Sequence, residues 1–223
     1  MSAPAPGWLR ALADRADAFP AVFPQAVAPP EDGRRSAVLI LFGPVAAEVA
    51  PAREGAGAVD VLLTERSHGL RSHPGQVAFP GGAIDPDDDG AVGAALREAH
   101  EETGLDPAGV EVLARLPEIF LAPSAYVVTP ILAWWAEPSP VRPVDAREVA
   151  RVSRVPVEDL LEPANRFRVR HPSGYIGPGF FVDGLFVWGF TAGLLDRVLV
   201  EAGLDKPWDT TRFERLPEHL VRR

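Results

Sequence analysis

Hydrophobic positions along the chain recur at two spacings, and each spacing predicts a different kind of element. Apolar residues at intervals of three and four predict amphipathic helices, whereas short alternating or continuous apolar runs bounded by glycine and proline predict strands. The predicted helices cover residues 7–19, 91–103, 157–161 and 191–202, and the predicted strands cover residues 35–43, 59–67, 76–79, 110–116, 119–121, 126–137, 148–155, 167–171 and 180–187.

The order of these elements mixes many strands with few helices and lacks a regular βαβ alternation. This order favours an α/β fold in which a mixed β-sheet is sandwiched between α-helices, rather than a doubly wound parallel sheet. We expect three parts along the chain. An N-terminal helix with a proline-rich connection (1–33) packs on a main domain (34–204), and a charged, mobile C-terminal tail (205–223) follows.

Composition and charge narrow the class of protein. The chain has 223 residues, 47% of them hydrophobic, which is enough for a substantial core. Its formal net charge of -9 argues against a general nucleic-acid or anionic-membrane surface. No apolar stretch reaches the ~18 residues that span a bilayer, and the charged residues Arg10, Asp14 and Arg15 interrupt any N-terminal export signal. With no cysteine to form a disulfide or a thiolate site, we expect a cytoplasmic protein.

The predicted helix 91–103 carries the most informative cluster, in which Glu98, Glu101 and Glu102 precede Gly104. At roughly 100° per residue, the three carboxylates share one face of the helix. Three anions on one face repel one another and call for a counter-charge. Mg²⁺ or Mn²⁺ is the matching cation, because hard divalent ions take oxygen ligands. Taken alone, the cluster is also compatible with a solvated acidic helix face.

The sequence around this helix resembles the Nudix hydrolases, whose box is G-x5-E-x7-R-E-U-x-E-E-x-G-U, with U an aliphatic residue. The second half of the box is filled by Arg97, Glu98, Glu101, Glu102, Gly104 and Leu105, with Ala99 at the first U position. Residues 62–82 also follow L-L-T-x-R-[SA]-x3-R-x3-G-x3-F-P-G-G at every fixed position. That second pattern is typical of the coenzyme A pyrophosphatase branch of the family.

The resemblance implies a Nudix sandwich and a divalent-metal-dependent pyrophosphatase. Its small-molecule substrate would be coenzyme A or acyl-CoA, and the products would be 3′,5′-ADP and (acyl-)4′-phosphopantetheine. The implied metal ligands are Glu98, Glu102, Glu101 and the Gly82 carbonyl, the implied catalytic residues are Glu101 as proton acceptor, Glu98 and Arg97, and the implied substrate contacts are Arg66, Arg71, Ser67, Gln76 and Phe79. A homodimer is a further expectation from the family.

Several alternatives stay open at this level. The interval from Gly82 to Arg97 is one residue longer than in the general box, so either Asp88 or Asp89 could partner Arg97. The proton acceptor also differs among Nudix enzymes. A metal ion bound by this helix would contact only the diphosphate group and would not distinguish among diphosphate substrates. ADP-ribose, NADH or another nucleoside diphosphate derivative is therefore the alternative substrate. A non-catalytic Nudix sensing or interaction module is the alternative of another class.

Two other motifs fail on their spacing. The run Asp85-Pro86-Asp87-Asp88-Asp89-Gly90 begins like an EF-hand loop, but Leu96 stands where the loop requires a bidentate glutamate. His100-Glu101 begins like the zinc-protease motif H-E-x-x-H, but Gly104 stands where the second histidine belongs. We therefore expect neither a calcium loop nor a zinc protease.

Overall fold

The computed structural model describes residues 3–22, 33–45, 58–121 and 125–221. Its helices are α1 (Gly7–Ala13), α2 (Gly90–Thr103), α3 (Val157–Leu161), α4 (Gly189–Glu201) and α5 (Glu218–Val221). Its strands are β1 (Arg34–Pro44), β2 (Val59–Arg66), β3 (Val77–Ala78), β4 (Gly81–Ala83), β5 (Val110–Arg115), β6 (Ile119–Leu121), β7 (Tyr126–Trp135), β8 (Val149–Pro156), β9 (Arg166–Arg170), β10 (Ile176–Val182), β11 (Leu185–Val187) and β12 (Phe213–Glu214). Over these ranges, every helix falls short of the length and apolar character that a membrane crossing needs.

The central sheet is mixed, as the sequence predicts. Its main strand order is β3-β2-β1-β7-β5, and β4, β6 and β8 pair with β1, β7 and β2. The long strands β1 and β7 are parallel, with register Arg34↔Tyr126 to Phe42↔Trp134, and their neighbours are antiparallel. Both central strands are buried on their two faces, which explains their nearly continuous apolar sequences.

Helices cover both faces of this sheet. Successive side chains of β1 point to opposite faces, so Leu39 and Leu41 contact α2, while Ile40 and Phe42 lie in the larger core with α1, α3 and α4. The small side chains on the inner face of α2 allow that helix to lie close to the sheet; they are Ala91, Ala94, Ala95 and Ala99. The predicted sheet between helices is therefore confirmed.

Three element boundaries differ from the sequence prediction. The helix predicted over residues 7–19 ends at Ala13 and continues as a 3-10 turn at Ala16–Ala18. The strand predicted over residues 180–187 is interrupted by a turn at Asp183-Gly184, a dipeptide that favours hairpins, and so becomes β10 and β11. Helix α4 begins at Gly189, two residues before its predicted start at Thr191, and the Thr191 hydroxyl donates to the Val77 carbonyl (3.0 Å).

The C-terminal residues are packed rather than loose. A second sheet has the order β11-β10-β9-β12, and its last strand lies parallel to β9. Leu216 and Leu220 are buried against Phe167 and Val169. The expectation of a mobile tail is corrected in the part of this segment that the structure describes, because two leucines four residues apart among charged residues bury one apolar face. Residues 222–223, and most of the predicted proline-rich connection (23–32), lie outside the described residues.

Candidate active site

Helix α2 presents the predicted carboxylates and ends where the sequence predicts. Gly104 adopts a left-handed conformation with φ 71°, which glycine reaches without strain, and its N–H donates to the His100 carbonyl (2.8 Å). The inner face of the helix is alanine-rich and packs on the sheet. The charged residues that follow Leu96 therefore lie along the edge of the helix next to strand β4.

Arg97 joins helix α2 to the acidic turn that precedes it, which is formed by residues 85–89. Its Nε donates to Asp88 Oδ1 (2.8 Å) and its Nη2 donates to Asp88 Oδ2 (3.0 Å), which is a bidentate pair. Asp88 Oδ2 also accepts from the Asp85 N–H (2.8 Å), and the Arg97 hydrogen bond lowers the pKa of the Asp88 carboxyl. The structure thus selects Asp88, not Asp89, as the partner of Arg97.

The same guanidinium also binds two of the three carboxylates that are predicted metal ligands. Arg97 Nη1 donates to Glu98 Oε1 (3.0 Å) and to Glu101 Oε2 (3.1 Å). Glu101 is 56% exposed, whereas the Glu98 side chain is 20% exposed. Glu101 therefore lies toward solvent beside Arg97, and Glu98 lies inward toward strand β4.

Two adjacent glycines of β4 provide the opposite wall of the site. A Cβ atom on Gly82 would lie 2.6 Å from Glu98 Oε2, and one on Gly81 would lie 2.7 Å from the Val38 Cα. A side chain at Gly81 would collide with the backbone of β1, and one at Gly82 would displace the Glu98 carboxylate. The Gly81 N–H donates to Glu102 Oε2 (3.2 Å). The glycine pair places backbone atoms directly against Glu98 and Glu102.

Burial disfavours the charged forms of both Glu98 and Glu102. Burial raises the pKa of Glu102 to about 7, and the negative charges of Glu98 and Glu148 add to this shift, against the Gly81 N–H and Arg66. Burial also raises the pKa of Glu98, against its hydrogen bond with Arg97. Both carboxylates lose hydration without gaining a full counter-charge, which is the electrostatic condition that a divalent cation relieves.

The oxygen atoms of the predicted ligands suit a hard cation, but only some of these ligands lie close together. In the described ranges, no three histidine, aspartate or glutamate side chains converge as a metal cluster. The missing member is Glu101, because Arg97 holds it at the solvent side. What the fold does assemble is a pair of carboxylates facing glycine backbone, with oxygen donors alone, and this chemistry suits Mg²⁺ or Mn²⁺ rather than a softer metal.

The loop of residues 67–76 carries three of the five predicted substrate contacts and follows Arg66, which lies near Glu102. The Arg66 N–H donates to the Gln76 carbonyl (2.9 Å), the Gly75 N–H donates to the Arg66 carbonyl (3.1 Å), and the Ser67 N–H donates to the Glu148 carbonyl (2.8 Å). The Arg66 guanidinium is close enough to lower the pKa of Glu102. Its buried Nε has no hydrogen-bond partner among the described residues, so a donor remains open beside the acidic pair.

The other predicted substrate contacts divide into exposed and buried residues. Arg71 is exposed on the loop, and Gln76 is half-buried and forms a hydrogen bond with His73. Phe79 is only 2% exposed and lies in the large core on the face of the sheet opposite α2. The prediction that Phe79 contacts substrate is therefore corrected, since its place in the motif reflects packing under the glycine turn.

Glu148 is a site residue that the sequence reasoning missed. Its carbonyl holds the start of the substrate loop through Ser67, and its negative charge contributes to the raised pKa of Glu102. The residue precedes strand β8 and belongs to no motif around α2. Its proximity arises from the pairing of β8 with β2, in which Arg66 lies opposite Val149, and a linear reading of the chain gives no signal for it.

Comparison with known proteins decides the family. The family model of the NUDIX domain matches residues 44–173. The chain belongs to the Nudix family. A relative from Escherichia coli (strain K12), the "Uncharacterized Nudix hydrolase NudL", is 38% identical over 149 residues, which are 65% of this chain and 76% of the relative. The NudL protein of Shigella flexneri is 35% identical over 198 residues, which are 86% of this chain and 95% of the relative.

A solved Nudix structure supports the fold. The crystal structure of the Nudix hydrolase RenU from M. smegmatis superimposes with a TM-score of 0.50, covering 78% of this chain and 89% of RenU at 24% sequence identity. The predicted Nudix fold and the recognition of a Nudix hydrolase are confirmed. The region matched by the family model contains strand β4, the acidic turn and helix α2, so the Nudix motif coincides with the acidic pair and its glycine wall.

Proposed function

We propose that this Nudix hydrolase cleaves the diphosphate bond of coenzyme A or acyl-CoA, giving 3′,5′-ADP and 4′-phosphopantetheine or its acyl form. The observation that carries the proposal is the partly neutralised pair Glu98 and Glu102 against the Gly81-Gly82 backbone. The motif over residues 62–82, which resembles the coenzyme A branch, supports the choice of substrate.

Nudix hydrolases generally use divalent metal ions, and we propose Mg²⁺ or Mn²⁺ here. Glu98, Glu102 and the Gly82 carbonyl would hold the ion, with Glu101 joining once it leaves Arg97. Such an ion polarises a phosphoryl oxygen and lowers the pKa of bound water from 15.7 toward neutrality. The bidentate pair of Arg97 with Asp88 keeps the acidic turn and α2 in fixed relation, so that the carboxylates and the glycine backbone stay opposed.

The arginines would receive the substrate anions. Arg66 combines an open Nε donor with proximity to Glu102, which suits a phosphoryl oxygen of the diphosphate. Arg71, exposed on the same loop, would contact the 3′-phosphate or the distal end of the diphosphate, with Ser67 and Gln76 at the base of the loop. Glu101 is the proposed proton acceptor, because it lies beside the pair and retains contact with solvent.

A substrate panel tests this proposal. Purified protein would be incubated separately with coenzyme A, acetyl-CoA, ADP-ribose and NADH, each with Mg²⁺, with Mn²⁺ or with EDTA, and the products separated by chromatography. We expect 3′,5′-ADP from the coenzyme A substrates, higher kcat/KM for them than for the others, and no turnover in EDTA. Equal or greater turnover of ADP-ribose or NADH would remove the coenzyme A assignment, and no turnover of any substrate would favour a non-catalytic module.

We also propose a cytoplasmic homodimer without nucleic-acid or membrane partners. This part of the proposal has a separate test, because catalysis depends on one chain's carboxylates. Sedimentation equilibrium would measure the mass in solution. A mass equal to that of one chain across micromolar concentrations would remove the dimer and leave the catalytic proposal intact.

A further inference from the structure

We propose that the C-terminal segment, defined as residues 205–221, positions the substrate loop of residues 67–76, and that His219 is the residue that makes this contact. The segment lies beyond residues 44–173, which the family model matches, whereas the loop lies inside them. The assignment of the loop to substrate binding rests on the proposed function. The contact itself does not.

The C-terminal segment is anchored independently of the loop. Strand β12 pairs with β9 through Phe213↔Arg168. Trp208 lies against the buried Arg166, with 4.8 Å between the guanidinium carbon and the ring centroid. Leu216 and Leu220 are buried beside Phe167 and Val169. These anchors fix α5 from one side and leave the His219 ring available to the other.

The loop meets α5 where the His68 ring faces the His219 ring. The ring centroids of His68 and His219 are 5.5 Å apart in an edge-to-face arrangement. Both rings pack where Gly75 has no side chain, because a Cβ on Gly75 would lie 2.8 Å from the His68 ring and 3.0 Å from the His219 Cδ2. The two histidines line a cavity of about 430 Å³ with Pro74 and Glu218.

This arrangement supports the loop from outside while its base is tied to the sheet. The base is held by the hydrogen bonds of Arg66 with Gly75 and Gln76, and His68 is also 3.2 Å from Glu65 (Nε2 to Oε1). Between these ties, Arg71 and its neighbours are exposed and lack regular structure. A loop with few buried contacts opens easily, so the His219 ring supplies order that the loop's own residues do not.

The first test follows the loop without substrate. Hydrogen–deuterium exchange of the full-length protein would be measured for peptides covering residues 66–76 in wild type, His219→Ala, His219→Phe, His68→Ala and Val221→Ala. We expect at least about fivefold faster exchange in His219→Ala and His68→Ala, and wild-type rates in His219→Phe, which keeps a planar ring. Val221→Ala, an exposed position on the same helix, is the matched control and should also match wild type.

The second test connects the loop to the reaction. With coenzyme A, His219→Ala should raise KM about fivefold and leave kcat within about twofold, because the loop orders the substrate and makes no bond to the reacting atoms. Unchanged loop exchange in His219→Ala would overturn the inference, as would an equal change in His219→Phe. If the protein fails to hydrolyse coenzyme A, the exchange result still decides whether the C-terminal segment holds the loop, so the two proposals fail separately.

Discussion

Two buried carboxylates, Asp60 on strand β2 and Glu102 on helix α2, show how differently this fold treats negative charge. Asp60 is 3% exposed, and burial raises its pKa to about 6, but Arg154 lies 2.9 Å from it and reduces the shift. Arg154 is itself held between the Pro44 carbonyl and the face of Trp135. The fold supplies Asp60 with its own dedicated cation.

Among the residues that the structure describes, Glu102 forms no such ion pair. It has one backbone N–H and the field of Arg66 on the favourable side, and the charges of Glu98 and Glu148 on the unfavourable side, so that its pKa rises to about 7. The nearest arginine on the helix, Arg97, is directed to Asp88, Glu98 and Glu101 instead. The Asp60 carboxylate is paired with a cation inside the fold, whereas the Glu102 carboxylate faces the glycine wall and is available to an external cation.

The largest expected effect is the loss of catalytic rate when Glu102 is replaced. Glu102→Gln removes a proposed metal ligand without changing side-chain size, and we expect kcat to fall about 10³-fold, or roughly 4 kcal/mol in the barrier. Unfolding free energy should stay within about 0.5 kcal/mol or rise, because the substitution also removes a repelling charge. Steady-state hydrolysis and urea unfolding measure the two quantities, with the exposed Glu137→Gln as control. Wild-type turnover in Glu102→Gln would refute the proposed metal site.

At the pair of Asp60 with Arg154 we expect the opposite pattern, a loss of stability without a loss of catalytic rate. Arg154→Met leaves Asp60 buried without its cation, and we expect unfolding free energy to fall by about 3 kcal/mol at pH 7. At a temperature where the variant is folded, kcat should remain within about twofold of wild type. The matched control is Arg151→Met on the same strand, whose exposed ion pair with Asp183 should contribute less than about 0.5 kcal/mol. Equal losses in the two variants would mean that burial does not distinguish these pairs.

The pH dependence of stability sharpens the same comparison. The pKa of Asp60 is raised in the fold from 3.8 to about 6. Between these values the folded state binds more protons than the unfolded state, so stability falls as pH rises across that window and levels off above it. Wild type should therefore lose on the order of 2 kcal/mol relative to Asp60→Asn between pH 4 and pH 7. Urea unfolding in EDTA at both pH values measures this, and a constant difference would contradict the raised pKa.

The fold was predictable from sequence where burial repeats at a regular period. The carboxylate helix was predicted over 91–103 and found at Gly90–Thr103, because alanines on one side and charges on the other mark its faces. The packing of the C-terminal segment was not predictable, because Leu216 and Leu220 gain their burial from Phe167 and Val169, which lie far back in the chain. Contacts with residues that are distant in the sequence determine how such segments pack. The local spacing of apolar residues does not predict these contacts.

The site was predictable to the level of the helix face and no further. The spacing places Glu98, Glu101 and Glu102 together. Which of the neighbouring carboxylates Arg97 binds depends on how the acidic turn folds back toward the helix. That turn also decided between Asp88 and Asp89. Phe79 was misassigned for a related reason, since a motif records fixed residues without recording whether each faces substrate or core.

The smallest expected effect concerns the acidic turn before α2, which Asp88 links to Arg97 beside the carboxylates Glu98 and Glu102. Asp88→Asn keeps the shape but removes the charge that binds the Arg97 fork, so Arg97 would turn more fully toward Glu98 and Glu101 and compete with the metal. We expect kcat/KM to fall about tenfold, equivalent to about 1.4 kcal/mol, with the metal concentration for half-maximal rate shifted upward. Metal titrations at fixed coenzyme A concentration measure the shift.

The neighbouring residue provides the matched control for this last effect. Asp89 stands at the N-cap position of α2, but its side chain makes no capping hydrogen bond, so Asp89→Asn should leave kcat/KM and the metal dependence unchanged. Equal losses in both variants would indicate that the acidic turn acts through its summed charge. A loss confined to Asp88→Asn would establish that the bidentate pair with Asp88 limits how strongly Arg97 competes with the cation for Glu98 and Glu101.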